Sequence, residues 1–369
     1  MKKVLIICAG LQFGGVERFA TNIIKFAPEG EYQFDYLIFE GLGDAYVPEI
    51  EEKGGRVIAF PSPQQGYRNY IKKLGDLIDQ NQYDVVHSHT QFNSGINLWV
   101  AKKHGVPVRI AHSHTTAHEN AISKKQQVYE IIMRKMILKN ATVRCSCGVE
   151  AGKWMYGNHS FIVIDNGIDA ELFAYNEDNR RNIRNRYSIS NEAFVIGHSG
   201  TISKLKNQAF LIQLLPEIRK IKNNAELMLI GTGSEDEHKH LVSLAKENGM
   251  TNYVHFTGAV LNVDEFLSAF DVFAFPSLRE GTPLALIEAQ ANGLPCVISN
   301  NIASDAVLTD LITQIPLDSP GKWIRAIAGS NRNHPLKYVD VIKKSGYDAR
   351  VSYQKLFDLY NGKPLREER

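Results

Sequence analysis

Two glutamates, Glu280 and Glu288, stand eight positions apart in the run Arg279-Glu280-Gly281-Thr282-Pro283-Leu284-Ala285-Leu286-Ile287-Glu288-Ala289. Pro283 suits the first turn of a helix, so Glu280 falls in the loop before that helix and Glu288 about two turns inside it. A loop carboxylate and a helical carboxylate so placed can accept hydrogen bonds from hydroxyls at the two ends of one ligand. The N–H groups near Leu284 and Ala285, unpaired at the helix start, would take its phosphates. The same residues also read as acidic charge complementing a helix dipole, with one solvated glutamate. Spacing alone leaves both readings open.

A second anion site is suggested by Gly10-Leu11-Gln12-Phe13-Gly14-Gly15-Val16-Glu17-Arg18, a glycine turn between an apolar strand and a helix start. It departs from G-x-G-x-x-G, so the dinucleotide fingerprint fails, although Glu40 could imitate a ribose-binding acid. A tight turn that needs glycine for steric reasons is the alternative. The four cysteines (Cys8, Cys145, Cys147, Cys296) lack zinc-ligand spacing and are too few to staple such a chain, so they read as free thiols in a reducing compartment.

These residues need elements to position them. At 369 residues, with 44% hydrophobic and 22% charged side chains, the chain is an ordinary globular sequence of about two domains. Lys+Arg 42 against Asp+Glu 40 leaves a charge of +2, which provides no global drive toward nucleic acid. Short apolar runs at Lys3–Cys8, Gln33–Phe39, Arg56–Ala59, Val85–His87, Val108–His112, Thr142–Cys145 and Phe161–Ile164 alternate with amphipathic stretches, which predicts a parallel sheet covered on both faces. The pattern restarts after Asn166, with strands at Phe194–His198, Glu226–Ile230, Tyr253–Thr257, Val272–Phe275 and Cys296–Ser299. The expectation is two Rossmann-like, doubly wound α/β domains facing across a cleft: residues 1–168, residues 169–345, then a helix and frayed tail over 346–369 that crosses back to the first domain. The run Val4–Ala9 is shorter than a signal-peptide core, and no apolar stretch is long enough for a membrane helix. A cytoplasmic protein, or one resting on the inner face of the plasma membrane, is expected.

Glu280-x7-Glu288, set in PSLREGTPLALIEAQANGLPCVIS, resembles the signature of retaining nucleotide-sugar glycosyltransferases of the two-Rossmann GT-B fold, family four or "glycosyl transferases group 1". The likeness spans most of the chain: GGVERF at Gly14–Phe19, DVVHSH at Asp84–His89, RIAHSH at Arg109–His114, NGID at Asn166–Asp169, Lys206-Asn207, LIGTGSE at Leu229–Glu235 and HFTG at His255–Gly258. It is most similar to bacterial capsular and exopolysaccharide transferases. The resemblance implies that Glu280 contacts the hydroxyls of the donor sugar, Glu288 holds the ribose and Lys206 neutralises the diphosphate. Gly14 and Gly15 would approach that phosphate. His114 matches the active-site histidine near the transferred sugar, with His112 as the alternative register; His87 and His89 would line the acceptor side or serve as structural histidines. Arg279, Gly281, Thr282, Pro283 and Leu284 complete the donor loop.

One position departs from the family: Thr201 stands where an arginine usually joins the lysine on the diphosphate. A hydroxyl brings neither charge nor a bidentate fork, so Lys204 or Arg279 would have to compensate. No Asp-x-Asp pair accompanies these motifs, and the resemblance implies no cofactor and no metal. The expected reaction is transfer of a hexose from a UDP-sugar to a glycan or lipid-linked acceptor in envelope polysaccharide synthesis. A same-fold UDP-sugar epimerase or hydrolase, or a weakly active sugar-nucleotide-binding subunit, are the alternatives. The stretch Ser123–Lys139 sets Lys124, Lys125, Arg134, Lys135 and Lys139 beside Val128, Ile131, Ile132, Met136 and Leu138. It reads either as a basic amphipathic helix for peripheral contact with anionic lipid or as a domain helix with its apolar stripe in the core.

Overall fold

The computed structural model describes residues 1–41, 43–115, 122–280, 283–332 and 337–367, with backbone only at 305. The chain divides into two compact units, Met1–Asn166 with Ala349–Arg369, and Gly167–Asp348.

In the first unit, strands β1 (Lys2–Ile7), β2 (Tyr32–Phe39), β3 (Arg56–Phe60), β4 (Val85–Ser88), β5 (Val108–Ser113), β6 (Val143–Ser146) and β7 (Ile162–Val163) pair in the order β3-β2-β1-β4-β5-β6-β7, all parallel. Strand β1 shows why. Val4 and Ile6 enter the core on one face, Leu5 and Ile7 the core on the other, and all four are fully buried. A strand apolar on both faces has to lie inside a sheet covered twice. One cover includes the helix Gly15–Lys25 and the helix Ala349–Tyr360, which brings Tyr353, Leu356, Phe357 and Tyr360 into the same core as Val4 and Ile6. Tyr353 donates to Phe19 O at 3.0 Å, and Leu365 still packs against that core.

The second unit repeats the plan with β8 (Phe194–Ser199), β9 (Ala225–Ile230), β10 (Val254–Gly258), β11 (Val272–Phe275), β12 (Cys296–Ser299) and β13 (Ile312–Ile315) in the order β10-β9-β8-β11-β12-β13. Again every pairing is parallel. Both units are doubly wound α/β, and in each the strand order reverses beside the first strand: β1 next to β4, and β8 next to β11. At such a switch point the loops leaving the two strands diverge to opposite faces and open a crevice at their carboxyl ends, where open α/β sheets bind ligands.

No helix among the described residues is long and apolar enough to cross a membrane. The helix Lys124–Asn140, capped by the Ser123 hydroxyl, has two apolar faces. Met133 and Ile137 are buried, whereas Val128, Ile131 and Ile132 are 56%, 51% and 49% exposed. The single core-directed stripe expected for a domain helix does not account for them.

Candidate active site

The carboxyl ends of β8 and β11 carry most of the donor-side residues singled out in the sequence. The loop after β8 runs through Gly200 and Thr201 to Lys206, and the loop after β11 runs through Leu278 and Arg279 to Glu280. Two bonds stitch these loops together: Leu278 N–H donates to Leu205 O at 2.8 Å, and Asn207 Nδ2 donates to Pro276 O at 3.2 Å. They deliver Lys206 Nζ to 2.7 Å from Glu280 Oε1. The ammonium also lies 5.0 Å from the centre of the Phe275 ring.

Gly200 sits at φ +154, a backbone conformation that favours glycine, and a Cβ there would meet Lys206 Cε at an ordinary contact distance of 3.4 Å. The neighbouring turn is tighter still. Gly231, at φ +132, has no room for a Cβ, which would lie 2.1 Å from Gly200 O, so glycine is required at that place.

Beyond Glu280 the helix Leu284–Ala291 begins at Pro283. Leu286 and Ile287 N–H bond back to Pro283 O, and the N–H groups of Leu284 and Ala285 belong to the same first turn. Glu288 lies on this helix, partly buried. Gly281 and Thr282 lie outside the described residues. Thr201 is exposed, its carbonyl bonded by Gln208 Nε2 at 2.9 Å, and Lys204 and Arg279 are exposed as well. Neither has an ion pair among the described residues, so neither is fixed as the replacement for the family arginine.

Two residues here carry features that the sequence reading passed over. His198, buried at the end of β8, donates through Nδ1 to Ala274 O at 3.0 Å, which leaves Nε2 a buried acceptor with no hydrogen-bond partner among the described residues. Burial, with a smaller push from Lys206, lowers its pKa to about 4. Ser277 presents a buried hydroxyl that is likewise unpartnered among those residues. Both immediately flank the loops of the switch point, and strand register could have found them.

In the first unit, Gly14 caps the helix Gly15–Lys25 in extended backbone (φ −168, ψ 160) that any residue adopts. A Cβ at Gly15 would meet nothing within 4 Å, and one at Gly14 would meet only the flexible end of Glu17. At Gly14 and Gly15 the backbone therefore has no steric need of glycine. The two His-Ser-His doublets end adjacent strands β4 and β5. Because side chains alternate along a strand, His87 and His89 share a face with His112 and His114. The four rings pack together, His112–His114 stacked with centroids 4.3 Å apart and His87–His89 tilted at 4.1 Å. Phe19 covers them. Burial holds His87, His89 and His112 well below the ordinary imidazole range and His114 down to about 3, so all four are neutral at physiological pH.

Two doubly wound parallel-sheet units, with a lysine and a glutamate ion-paired at a helix start in the second, describe the GT-B class of fold. The sequence of the first unit matches the family model "Glycosyltransferase Family 4" over residues 13–172, and that of the second "Glycosyl transferases group 1" over residues 193–329. A Bacillus subtilis (strain 168) protein named as a glycosyltransferase, EpsF, is 33% identical over 98% of this chain and 96% of its own length. The capsular polysaccharide biosynthesis glycosyltransferase CapH of Staphylococcus aureus is 26% identical over 99% of this chain and all of its own. Among solved structures, Anabaena HepE in complex with UDP and glucose superposes with a TM-score of 0.76 at 18% identity, covering 98% of this chain and 100% of that one. The chain belongs to the group 1 glycosyltransferases.

Proposed function

We propose that the protein transfers a hexose from a UDP-sugar to a glycan or lipid-linked glycan in cell-envelope polysaccharide synthesis, with retention at the anomeric carbon and no metal on the diphosphate. The observation that carries the reading is the meeting of Lys206 and Glu280 at the head of the helix Leu284–Ala291. In this reading the diphosphate takes Lys206 and the N–H groups of Leu284 and Ala285, Glu280 binds sugar hydroxyls, and Glu288 binds the ribose. The bond from the anomeric carbon to the diphosphate oxygen breaks slightly ahead of acceptor attack on the same face. A bond to the acceptor oxygen forms, and the acceptor proton passes to the departing diphosphate. Preorganised positive charge on the leaving group is then the main contribution of the protein. His114, neutral, would stand near the transferred sugar, with His87, His89 and His112 behind it, and the open N–H end at Gly14 and Gly15 would approach the phosphate. The names of relatives such as CapH support the polysaccharide setting.

The exposed face of the helix Lys124–Asn140 supports peripheral contact with a membrane. Val128, Ile131 and Ile132 share it with the exposed Lys135 and Lys139, an apolar strip edged by positive charge.

Incubation with UDP-sugars, with and without membranes, tests the reading. UDP release that depends on added acceptor is expected. UDP release without acceptor would instead show a hydrolase or epimerase, and UDP binding without turnover a binding subunit.

A further inference from the structure

The histidine cluster on β4 and β5 gathers several metal-ligating side chains in one place. One ring nitrogen from each of His87, His89 and His112 lies within 4.8 Å of the others. His87 Nε2 and His112 Nδ1 are 3.2 Å apart. A tetrahedral ion with metal–nitrogen bonds of about 2.0–2.1 Å sets its ligand nitrogens about 3.3 Å apart. The pair His87 Nε2 and His112 Nδ1 already stands at the edge length of such a site.

We propose that His87, His89 and His112 bind one divalent transition-metal ion of the zinc, cobalt or nickel class, with Tyr360 and His114 as the groups that orient them. The proposal stands apart from the donor chemistry above, which keeps metal off the diphosphate, and it holds or fails whatever sugar is moved.

Two further observations support it. A histidine that binds metal through one nitrogen is usually aimed by a hydrogen bond at the other, and two of these three have that bond. His87 Nδ1 lies 2.7 Å from the Tyr360 hydroxyl, and His89 Nδ1 lies 2.8 Å from His114 Nε2. With Nδ1–H donating in each case, the Nε2 lone pairs of His87 and His89 remain for the ion. Nε2 of His89, one of the lone pairs so left for the ion, is also buried with no hydrogen-bond partner among the described residues, an atom that native interiors rarely leave unmet. Three histidines on one ion leave a fourth position for an oxygen ligand, the arrangement of an open nitrogen-rich zinc site.

Full-length protein stripped with a chelator and titrated with Zn2+ against a chromophoric competitor should bind one equivalent. Co2+ in its place should give the intense visible absorption of a tetrahedral site. His112→Gln and His89→Gln should each abolish stoichiometric binding. Tyr360→Phe, which keeps the packing and loses only the hydroxyl, should retain one equivalent at about 10–100-fold weaker affinity. Circular dichroism and the unfolding midpoint certify that each variant is folded, and a variant that fails to fold leaves the wild-type stoichiometry and Tyr360→Phe to decide. Wild type that binds no equivalent of either ion, or folded histidine variants that bind as wild type does, would overturn the proposal and leave the cluster a metal-free stack of neutral imidazoles.

Discussion

At the scale of single residues, the donor half rests on very few charges. Glu288→Ala should weaken UDP binding by about 1.5–3 kcal/mol, the worth of hydrogen bonds to a charged group, read by calorimetry on folded protein; an unchanged affinity would remove Glu288 from the ribose. Lys206→Ala should lower turnover far more than Thr201→Ala, since the lysine is held at the switch point by Glu280 while Thr201 is exposed and uncharged. Steady-state rates of the two variants decide it, and a larger loss at Thr201 would mean that the phosphate is gripped elsewhere. His198 gives a pH prediction. Its folded pKa of about 4 lies below the unfolded value near 6.5, so the unfolded chain binds the extra proton first. Stability is therefore full above about pH 6.5 and falls as pH drops toward 4, by up to about 1.4 kcal/mol per pH unit from this group. Urea midpoints between pH 7 and 4.5 should fall less steeply in His198→Leu than in wild type.

At the scale of elements, most strands could be read directly. Apolar runs such as FVI of β8 and VFAF of β11 have no stable home except a doubly covered sheet, and β11 and β12 begin and end where the sequence reading puts them. Strand β13, ITQI, escaped because it is half exposed and polar at its centre, which looks like loop. The short helices Val47–Glu52 and Val149–Tyr156 carry too few turns to show a period. The role of the His-Ser-His doublets was legible only in part. Period two puts each pair on one face, but that β4 and β5 are neighbours is a fact of strand order, and Tyr360 arrives from the far end of the sequence. The helix Lys124–Asn140 makes the clearest element-scale prediction. Ile131→Asp with Ile132→Asp should cut sedimentation with vesicles rich in anionic lipid severalfold while leaving the unfolding midpoint nearly unchanged, because both side chains are already half exposed. Equal sedimentation of variant and wild type would sink the membrane reading.

At the scale of the whole molecule, the chain builds one unit from a continuous stretch and the other from two pieces. A chain ending at residue 348 lacks Tyr353, Leu356, Phe357 and Tyr360, all within 2% of full burial. Each such side chain contributes about 1.5–3 kcal/mol when buried, and their sum is comparable to the entire 5–15 kcal/mol stability of a domain. Limited proteolysis of that truncated chain should degrade residues 1–166 and leave a protected fragment spanning 167–348. Protection of both units would show that the last helix adds little. The division itself falls between Asn166 and Gly167, within the turn-rich run Asp165–Asp169.

The same two-piece construction sets a timetable on the ribosome. The first strands to emerge belong to a sheet whose cover is encoded after residue 348, so the nascent first unit presents an unfinished apolar face throughout synthesis of the second. At roughly 5–20 residues per second that wait lasts on the order of 10–40 s. A continuous unit can fold as soon as it clears the exit tunnel. The sheet that emerges first is thus finished last, and the interval is a window for chaperone capture, or for a neighbouring nascent chain to supply the missing helix in trans.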